Sequence, residues 1–468
     1  MQRAVHYLTI AELAPLLQSR ALSPVAVTQM LLERIASLDG RLMAYASVTS
    51  ELAMQQAHAA QREIADGTYR GPLHGVPVAV KDLCFTKGLL TMGGSAALAD
   101  HVPADDATVV SRLRAAGAVL LGKLNLTEGA MAGYHPALPI PENPWKAGHW
   151  AGASSSGSAA ATAAGLAFAT IGSDTGGSIR HPAAACGVVG FKPTWGRVSR
   201  YGVLALAESL DHIGPMARSA RDAAMVLQVI AGRDPMDPTS LSDEVPSLTD
   251  GIDGGVAGMR IGWDEGFTRG DMAQDAADAV ADAVACLRDL GATIVPAQMP
   301  ARLPEYVRAW PTICAVEALA AHSRWYPGRS ASYGPFFRQW LQLGEAASAV
   351  DYARAHQLRL ACNGDLRGMM HGLDLFACPS TPRVAYPVTP EALYGPIPPQ
   401  RDPWHGRYTV PFNFSGLPTI SVPSGLSSEG LPFSLQLVGH PLGEALLARA
   451  ANAYEQASPW HAMHPPQW

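Results

Sequence analysis

From Ser23 to Leu38 the apolar residues Val27, Leu31, Leu32 and Ile35 recur at helical spacing, and Ser23 followed by Pro24 supplies an N-cap with proline at the first helical position. Ahead of this run, Thr9-Ile10-Ala11-Glu12 has capping-box spacing, so residues 1 to about 65 read as an N-terminal helical segment. Val76 to Val80 is a short unbroken apolar run of the kind that forms a buried strand. Asp106 to Ala116 reads as a helix leading into a strand at Ala118 to Leu121. Further on, Gln274 to Leu290 is an amphipathic helix closed by Gly291, and Thr293 to Val295 reads as another strand. This alternation of helix and strand predicts an α/β protein. No fixed-period repeat and no sharp boundary interrupts it, so the expectation is one domain over residues 1–468.

Two stretches depart from the pattern. From Gly148 to Gly202 the chain is dominated by Gly, Ala and Ser, too rich in small residues for a conventional core element and too apolar for a flexible linker. Backbone must come close to something there. Tyr386 to Pro411 is proline-rich and aromatic, and reads as a long irregular excursion of the functional kind.

Composition narrows the function classes. Hydrophobic residues make up 48% and charged residues 16% of the 468, too apolar for a disordered chain, and the net charge of -6 offers no basic surface for nucleic acid. The longest nearly uncharged run, Ala159 to Gly172, is too short to span a membrane. Glu12 interrupts the apolar stretch a secretion signal would need, so the mature chain is expected to begin at Met1. Six cysteines without CxxC spacing argue against zinc ribbons and disulfide frameworks and favour a reduced, cytoplasmic setting.

Several familiar motifs fail on inspection. Gly117 to Lys123 has the glycine and lysine spacing of a phosphate loop, but Leu124 stands where a magnesium-binding Ser or Thr is required. GxSxG, HExxH and GxGxxG are absent, and His74, His149 and His181 show no metal-site spacing. Only five of the 34 basic residues are lysines, and one of them, Lys81, follows the apolar string Val76 to Val80, where an ammonium is costly to bury. A lysine in such a setting can lose its proton near neutral pH and act as a base. Hydroxyls cluster in Gly152-Ala153-Ser154-Ser155-Ser156-Gly157-Ser158, and Gly176-Gly177 precede Ser178 with the backbone freedom to aim several N–H groups at one point.

Together these residues resemble the amidase signature hydrolases. The likeness runs through Gly71 to Asp82, Asn143-Pro144-Trp145, the serine-glycine tract, Cys186 to Thr194, Gly416-Leu417-Pro418 and Ser421-Val422-Pro423, nearly the whole chain. The resemblance implies a single large α/β/α domain, a twisted mixed β-sheet flanked by helices, with no metal and no cofactor. By position it makes Lys81 the general base, Ser154 a bridging serine preceded by a cis peptide bond, and Ser178 the acylated nucleophile. The backbone N–H groups of Thr175, Gly176, Gly177 and Ser178 would form the oxyanion hole, and Asp174 and Arg180 would hold the loop. The usual Gly-Gly before the bridging serine is Gly152-Ala153 here, so the cis bond would join Ala153 to Ser154.

One branch of the family, the glutamine-hydrolysing subunit of the tRNA-dependent amidotransferase, grips a free carboxylate with an arginine in a Lys-Arg-Arg run. In the similar segment, Gly334 to Gly344, the two final Arg positions read Gln339 and Trp340, and an aromatic ring cannot make the bidentate charge-assisted bonds a carboxylate wants. By the same resemblance Met131, Tyr134, Trp340, Trp404, Tyr408 and Phe412 are the candidate pocket residues, and their tone favours an apolar or aryl substrate. The expectation is therefore an amidohydrolase for a small, largely apolar amide, anilide or carbamate, a range that includes urethanase and aryl acylamidase activity. Glutamine hydrolysis is the alternative, and a catalytically dead binding relative is disfavoured by the presence of Lys81, Ser154 and Ser178. The expected partner is the small-molecule substrate, with no nucleic acid and no membrane, and a homodimer as an option.

Overall fold

The computed structural model describes residues 4–398, 403–466 and 468. The sequence expectation about Met1, and the part of the excursion at residues 399–402, lie outside the described residues. Among the described residues eleven strands form one sheet: β1 (Tyr45–Val48), β2 (Pro77–Lys81), β3 (Val119–Leu124), β4 (Ala169–Asp174), β5 (Val189–Lys192), β6 (His212–Ala217), β7 (Arg260–Trp263), β8 (Thr293–Pro296), β9 (Leu375–Pro379), β10 (Thr419–Leu426) and β11 (Pro432–Gly439). Their order is β1-β3-β2-β4-β6-β5-β10-β11-β9-β7-β8. β2 runs parallel to β3 and β4, whereas β6, β5, β10, β11 and β9 follow one another antiparallel, so the sheet is mixed as expected. Among the described residues no helix is long and apolar enough to cross a membrane.

Local signals set the element ends. Thr9 and Glu12 complete a reciprocal capping box on the helix Ile10–Gln18, and Ser23 caps the helix Pro24–Leu42. The N-terminal segment also contains β1, which pairs with β3. A four-residue strand exposed along three of its residues carries too little apolar periodicity to stand out between two helices. The helix expected from Asp106 starts at Thr108.

The Gly/Ala/Ser tract is corrected more substantially. It folds as core, with the helix Ser156–Ala163, strand β4, the helix Arg180–Cys186 and strand β5, and nearly every side chain buried. Small residues are needed because backbones touch. A Cβ on Gly157 would lie 2.5 Å from the Ala44 carbonyl oxygen, and one on Gly152 would lie 2.2 Å from Pro182 Cα. The later excursion is less irregular than its sequence suggests, with a short helix at Pro390–Tyr394 and a 3-10 turn at Pro403–Tyr408.

The topology places the chemistry. β2 and β4 are parallel neighbours with Val80 opposite Ile171, so Lys81 and the segment following Ile171 leave the sheet at the same, carboxyl end. That end is where open α/β sheets place their ligands.

Candidate active site

Lys81 closes β2 and is fully buried. Its Nζ lies 2.6 Å from Ser154 Oγ, 2.9 Å from Ser155 Oγ and 2.9 Å from Ser173 Oγ. Three neutral hydroxyls are a poor substitute for water around an ammonium. Burial pushes the Lys81 ammonium down to about 7, against an opposing pull from Cys84, Asp211 and Asp174. A neutral amine with two N–H bonds and one lone pair suits the same three hydroxyls, two accepting and one donating.

Ser154 follows a cis peptide bond from Ala153. Ser155 braces the arrangement by donating from its hydroxyl to the Ser173 carbonyl at 3.2 Å and accepting from the Ser173 N–H at 3.3 Å. The Ser155 N–H donates to the Ser178 carbonyl at 3.2 Å, which ties the serine-rich segment to the glycine turn. Ser178 is 9% exposed, whereas Ser154 and Ser155 are sealed. Its hydroxyl has no hydrogen-bond partner among the described residues, so it is free to turn toward Ser154 or toward a ligand.

Asp174 organises the turn. It accepts from the Gly177 N–H at 2.8 Å, the Ile179 N–H at 3.0 Å and the Arg180 side chain at 2.8 and 3.0 Å, with Asn413 Nδ2 a further 2.8 Å donor. Burial would raise this carboxyl, but the Arg180 guanidinium, with Lys192 and Asn413, holds it well below the usual carboxylate range. One expected oxyanion donor is thereby corrected: the Gly177 N–H is already committed to Asp174. The N–H groups of Thr175, Gly176 and Ser178 have no partner among the described residues. Gly177 sits at φ +131° with the His181 ring against its α-carbon, and burial pushes His181 down to about 4, so that imidazole is neutral.

Side chains remote in sequence reach the same turn. Thr175 Oγ1 donates to Asp211 at 2.5 Å, Trp310 Nε1 donates to the Thr175 carbonyl at 2.9 Å, and Thr409 Oγ1 donates to the Gly176 carbonyl at 2.6 Å. Sequence reasoning did not single out Ser155 and Ser173 as lysine partners, nor Asp211, Trp310, Thr409 and Asn413. The hydroxyl density of the tract was a signal for the two serines. The other four come from segments whose docking no local pattern encodes.

A cavity of about 360 Å³ is lined by Tyr134, Ile140, Trp150, Ala151, Leu393 and Tyr394 among others, with Glu142 and His149 its acidic and imidazole members. Tyr134 Oη donates to Ser156 Oγ at 2.8 Å, and the Trp150 ring centroid stands 6.1 Å from that of His181, so two wall residues touch neighbours of the relay and of the turn, while Lys81, Ser154, Ser178 and the glycine turn do not line the cavity.

Of the six expected pocket residues, Tyr134 lines this cavity. Met131 is buried in the core with its carbonyl bonded to Thr127, and Trp340 packs against Trp310 at 5.9 Å. Tyr408 and Phe412 are fully buried; Tyr408 Oη donates to the Phe267 carbonyl at 3.0 Å. Trp404 Nε1 donates to Asp271 at 3.3 Å. Trp404 and Tyr408 thus anchor the excursion to residues 267–271, whereas Tyr394 lines the cavity and Tyr386 stacks on Trp150 at 5.3 Å. Among the described residues no group of three or more His, Cys, Asp or Glu is placed to hold a metal ion.

The amidase family model matches residues 26–448, and the chain belongs to that family, whose amidase signature enzymes share its fold. It is 45% identical to the protein named "Putative amidase AmiD" of Mycobacterium tuberculosis, over 99% of this chain and 97% of that one. It is 39% identical to a glutamyl-tRNA(Gln) amidotransferase subunit of a Roseiflexus species, over 98% of both. A bacterial aryl acylamidase of the amidase signature family superposes with a TM-score of 0.88 at 28% identity, covering 98% of each chain.

Proposed function

We propose that this amidase hydrolyses a small, largely apolar amide, anilide or carbamate through an acyl-enzyme on Ser178. The observation that carries the reading is the sealed contact of Lys81 Nζ with Ser154 Oγ at 2.6 Å, in a site that favours the neutral amine. Ser178 Oγ turns toward Ser154 and attacks the carbonyl carbon as its proton passes to Ser154, whose own proton passes to Lys81. The oxyanion is held by the N–H groups of Thr175, Gly176 and Ser178. Collapse breaks the C–N bond, and the proton returns from Lys81 through Ser154 to the leaving amine. Water, deprotonated by the same route, then attacks the ester, releasing the acid and restoring Ser178.

Apolar selectivity rests on the cavity. Its aromatic and aliphatic lining suits an aryl or alkyl group, and its lining holds no Lys or Arg to meet a substrate carboxylate. The 39% identity to the amidotransferase protein supports the second reading, glutamine hydrolysis. Against it, Gln339 is engaged by the Ile397 N–H at 2.8 Å, Trp340 is 2% exposed, and Glu142 would face the free carboxylate. Initial rates on acetanilides, aliphatic amides, phenyl carbamates and glutamine test the choice. Higher kcat/KM on an uncharged aryl or alkyl compound supports the proposal, and preference for glutamine overturns it.

A further inference from the structure

The proposed oxyanion site is made of backbone amides, and a backbone amide is aimed by whatever holds the other end of its peptide unit. In a planar trans peptide the carbonyl of one residue and the N–H of the next point in opposite directions. Fixing the carbonyl therefore fixes the line along which the N–H points. Each peptide of the turn is held in this way. The Asp174 carbonyl accepts from Asn413 Nδ2 at 3.0 Å, which directs the Thr175 N–H; the Gly177 carbonyl accepts from the His181 N–H at 2.7 Å, which directs the Ser178 N–H. Thr409 holds the Gly176 carbonyl and so directs the Gly177 N–H, the one that meets Asp174.

The remaining peptide, Thr175–Gly176, is likewise held by a side chain from a distant element. Trp310, on the helix Leu303–Ala321, donates its indole Nε1–H to the Thr175 carbonyl at 2.9 Å across 135 residues of sequence. The same indole lies flush against Gly176, where a Cβ would come within 2.8 Å of Cε2 and Cζ2. Glycine at 176 is thus required by the close approach of the ring, and the ring in turn blocks the peptide from flipping. Resting on the Ser178 acyl-enzyme reading, we propose that Trp310 is a positioning residue of this amidase: by pinning the Thr175 carbonyl it aims the Gly176 N–H at the oxygen that becomes negative in the transition state. The N–H it directs has no other partner among the described residues, and the indole is half-buried beside the turn without being part of the hydroxyl relay.

Such a role has a kinetic signature. A misdirected oxyanion donor weakens binding of the tetrahedral state and leaves substrate binding nearly alone, so the loss falls on kcat rather than KM. Removing one oxyanion donor outright costs about 10²–10³-fold in other enzymes, and losing only its aim should cost roughly 10–100-fold.

Two replacements separate the indole N–H from the bulk of the ring. Trp310→Phe keeps an aromatic ring near Gly176 without the donor. Incorporation of 3-benzothienylalanine at position 310 keeps the full bicyclic shape and exchanges the N–H for sulfur, so a folded protein is expected from at least this form. For both, kcat on an anilide substrate is measured with KM, together with the inhibition constant of a trifluoromethyl ketone that forms a tetrahedral adduct on the nucleophile. The expected result is kcat lowered roughly 10–100-fold, KM within about twofold, and adduct affinity weakened in step with kcat/KM. Unchanged kcat in the benzothienyl form, or a rise in KM with kcat preserved, would overturn the positioning role and make Trp310 a packing or substrate-contact residue. Wild-type protein that fails to be labelled at Ser178 by a fluorophosphonate would instead overturn the acyl-enzyme reading beneath it.

Discussion

Lys81 Nζ and Ser154 Oγ meet 2.6 Å apart at a point sealed from solvent, although 73 residues separate them in sequence. Parallel pairing of β2 with β4 brings Lys81 to the end of the sheet where the segment after β4 begins, and the serine-rich segment closes over it through the Ser155–Ser178 backbone link. The site is therefore a product of sheet topology as much as of motif. Among the described residues the Lys81 ammonium is bonded only by hydroxyls, so its basicity is set by burial, opposed by Cys84, Asp211 and Asp174, the last of which is already occupied by Arg180.

Ser178→Ala is expected to abolish amide turnover while leaving thermal unfolding unchanged, because the hydroxyl removed has no hydrogen-bond partner among the described residues and the backbone bond from Ser155 N–H to the Ser178 carbonyl is kept. A fluorophosphonate should label wild type at Ser178 and leave the variant unlabelled, as read by peptide mass. Turnover that survives in the variant would remove Ser178 from the mechanism.

The pH dependence follows from the direction of the Lys81 shift. Below about 7 the ammonium is protonated and cannot accept the relay proton, so kcat/KM should fall tenfold per pH unit on the acid side and level off above about 8. Asp211, also pushed up to about 7 by burial, faces the same turn through Thr175, with Glu208 nearby. Asp211→Asn should preserve the acid limb and shift it to lower pH, because the upward pull of Asp211 on Lys81 is lost. Disappearance of the limb in that variant would move the titration from Lys81 to Asp211.

Much of this arrangement is legible in the sequence. Lys81 stands out because an ammonium behind Val76 to Val80 needs a reason, and the Gly176-Gly177-Ser178 turn because consecutive glycines free the backbone. The small-residue tract does not read as core, since Gly157 and Gly152 are small to admit Ala44 and Pro182, partners no local window contains. Tyr408 and Phe412 mislead for a related reason: an aromatic residue in an excursion does not reveal which side it faces, and Tyr408 faces Phe267. The loss of Gly177 as an oxyanion donor depends on where the Asp174 carboxylate points, which only the folded turn defines.

Arg180→Met should be strongly destabilising. The Asp174–Arg180 pair is fully buried, and removing the guanidinium leaves a buried carboxylate without its ion-pair partner, supported only by N–H donors and the more distant Lys192, a loss of about 3–5 kcal/mol in urea unfolding. Adding Asp174→Asn to that variant should recover part of the loss. A single variant as stable as wild type would show that the pair does not hold the turn.

Hydroxyl activation by lysine requires no metal, and strong chelators should leave turnover unchanged within error. Activity lost on dialysis against EDTA and restored by a divalent ion would contradict this.

The central claim, that Lys81 acts as a neutral base, is tested most directly by the amide turnover of Lys81→Arg. A guanidinium occupies the site but stays protonated, so it keeps positive charge while losing the ability to accept a proton. The account expects kcat/KM on an anilide to fall by roughly 10²–10⁴-fold, the usual contribution of a general base, in a variant that remains folded by circular dichroism. Near-normal amide hydrolysis in the arginine variant would mean that position 81 supplies charge alone, and the lysine-serine-serine relay would be wrong.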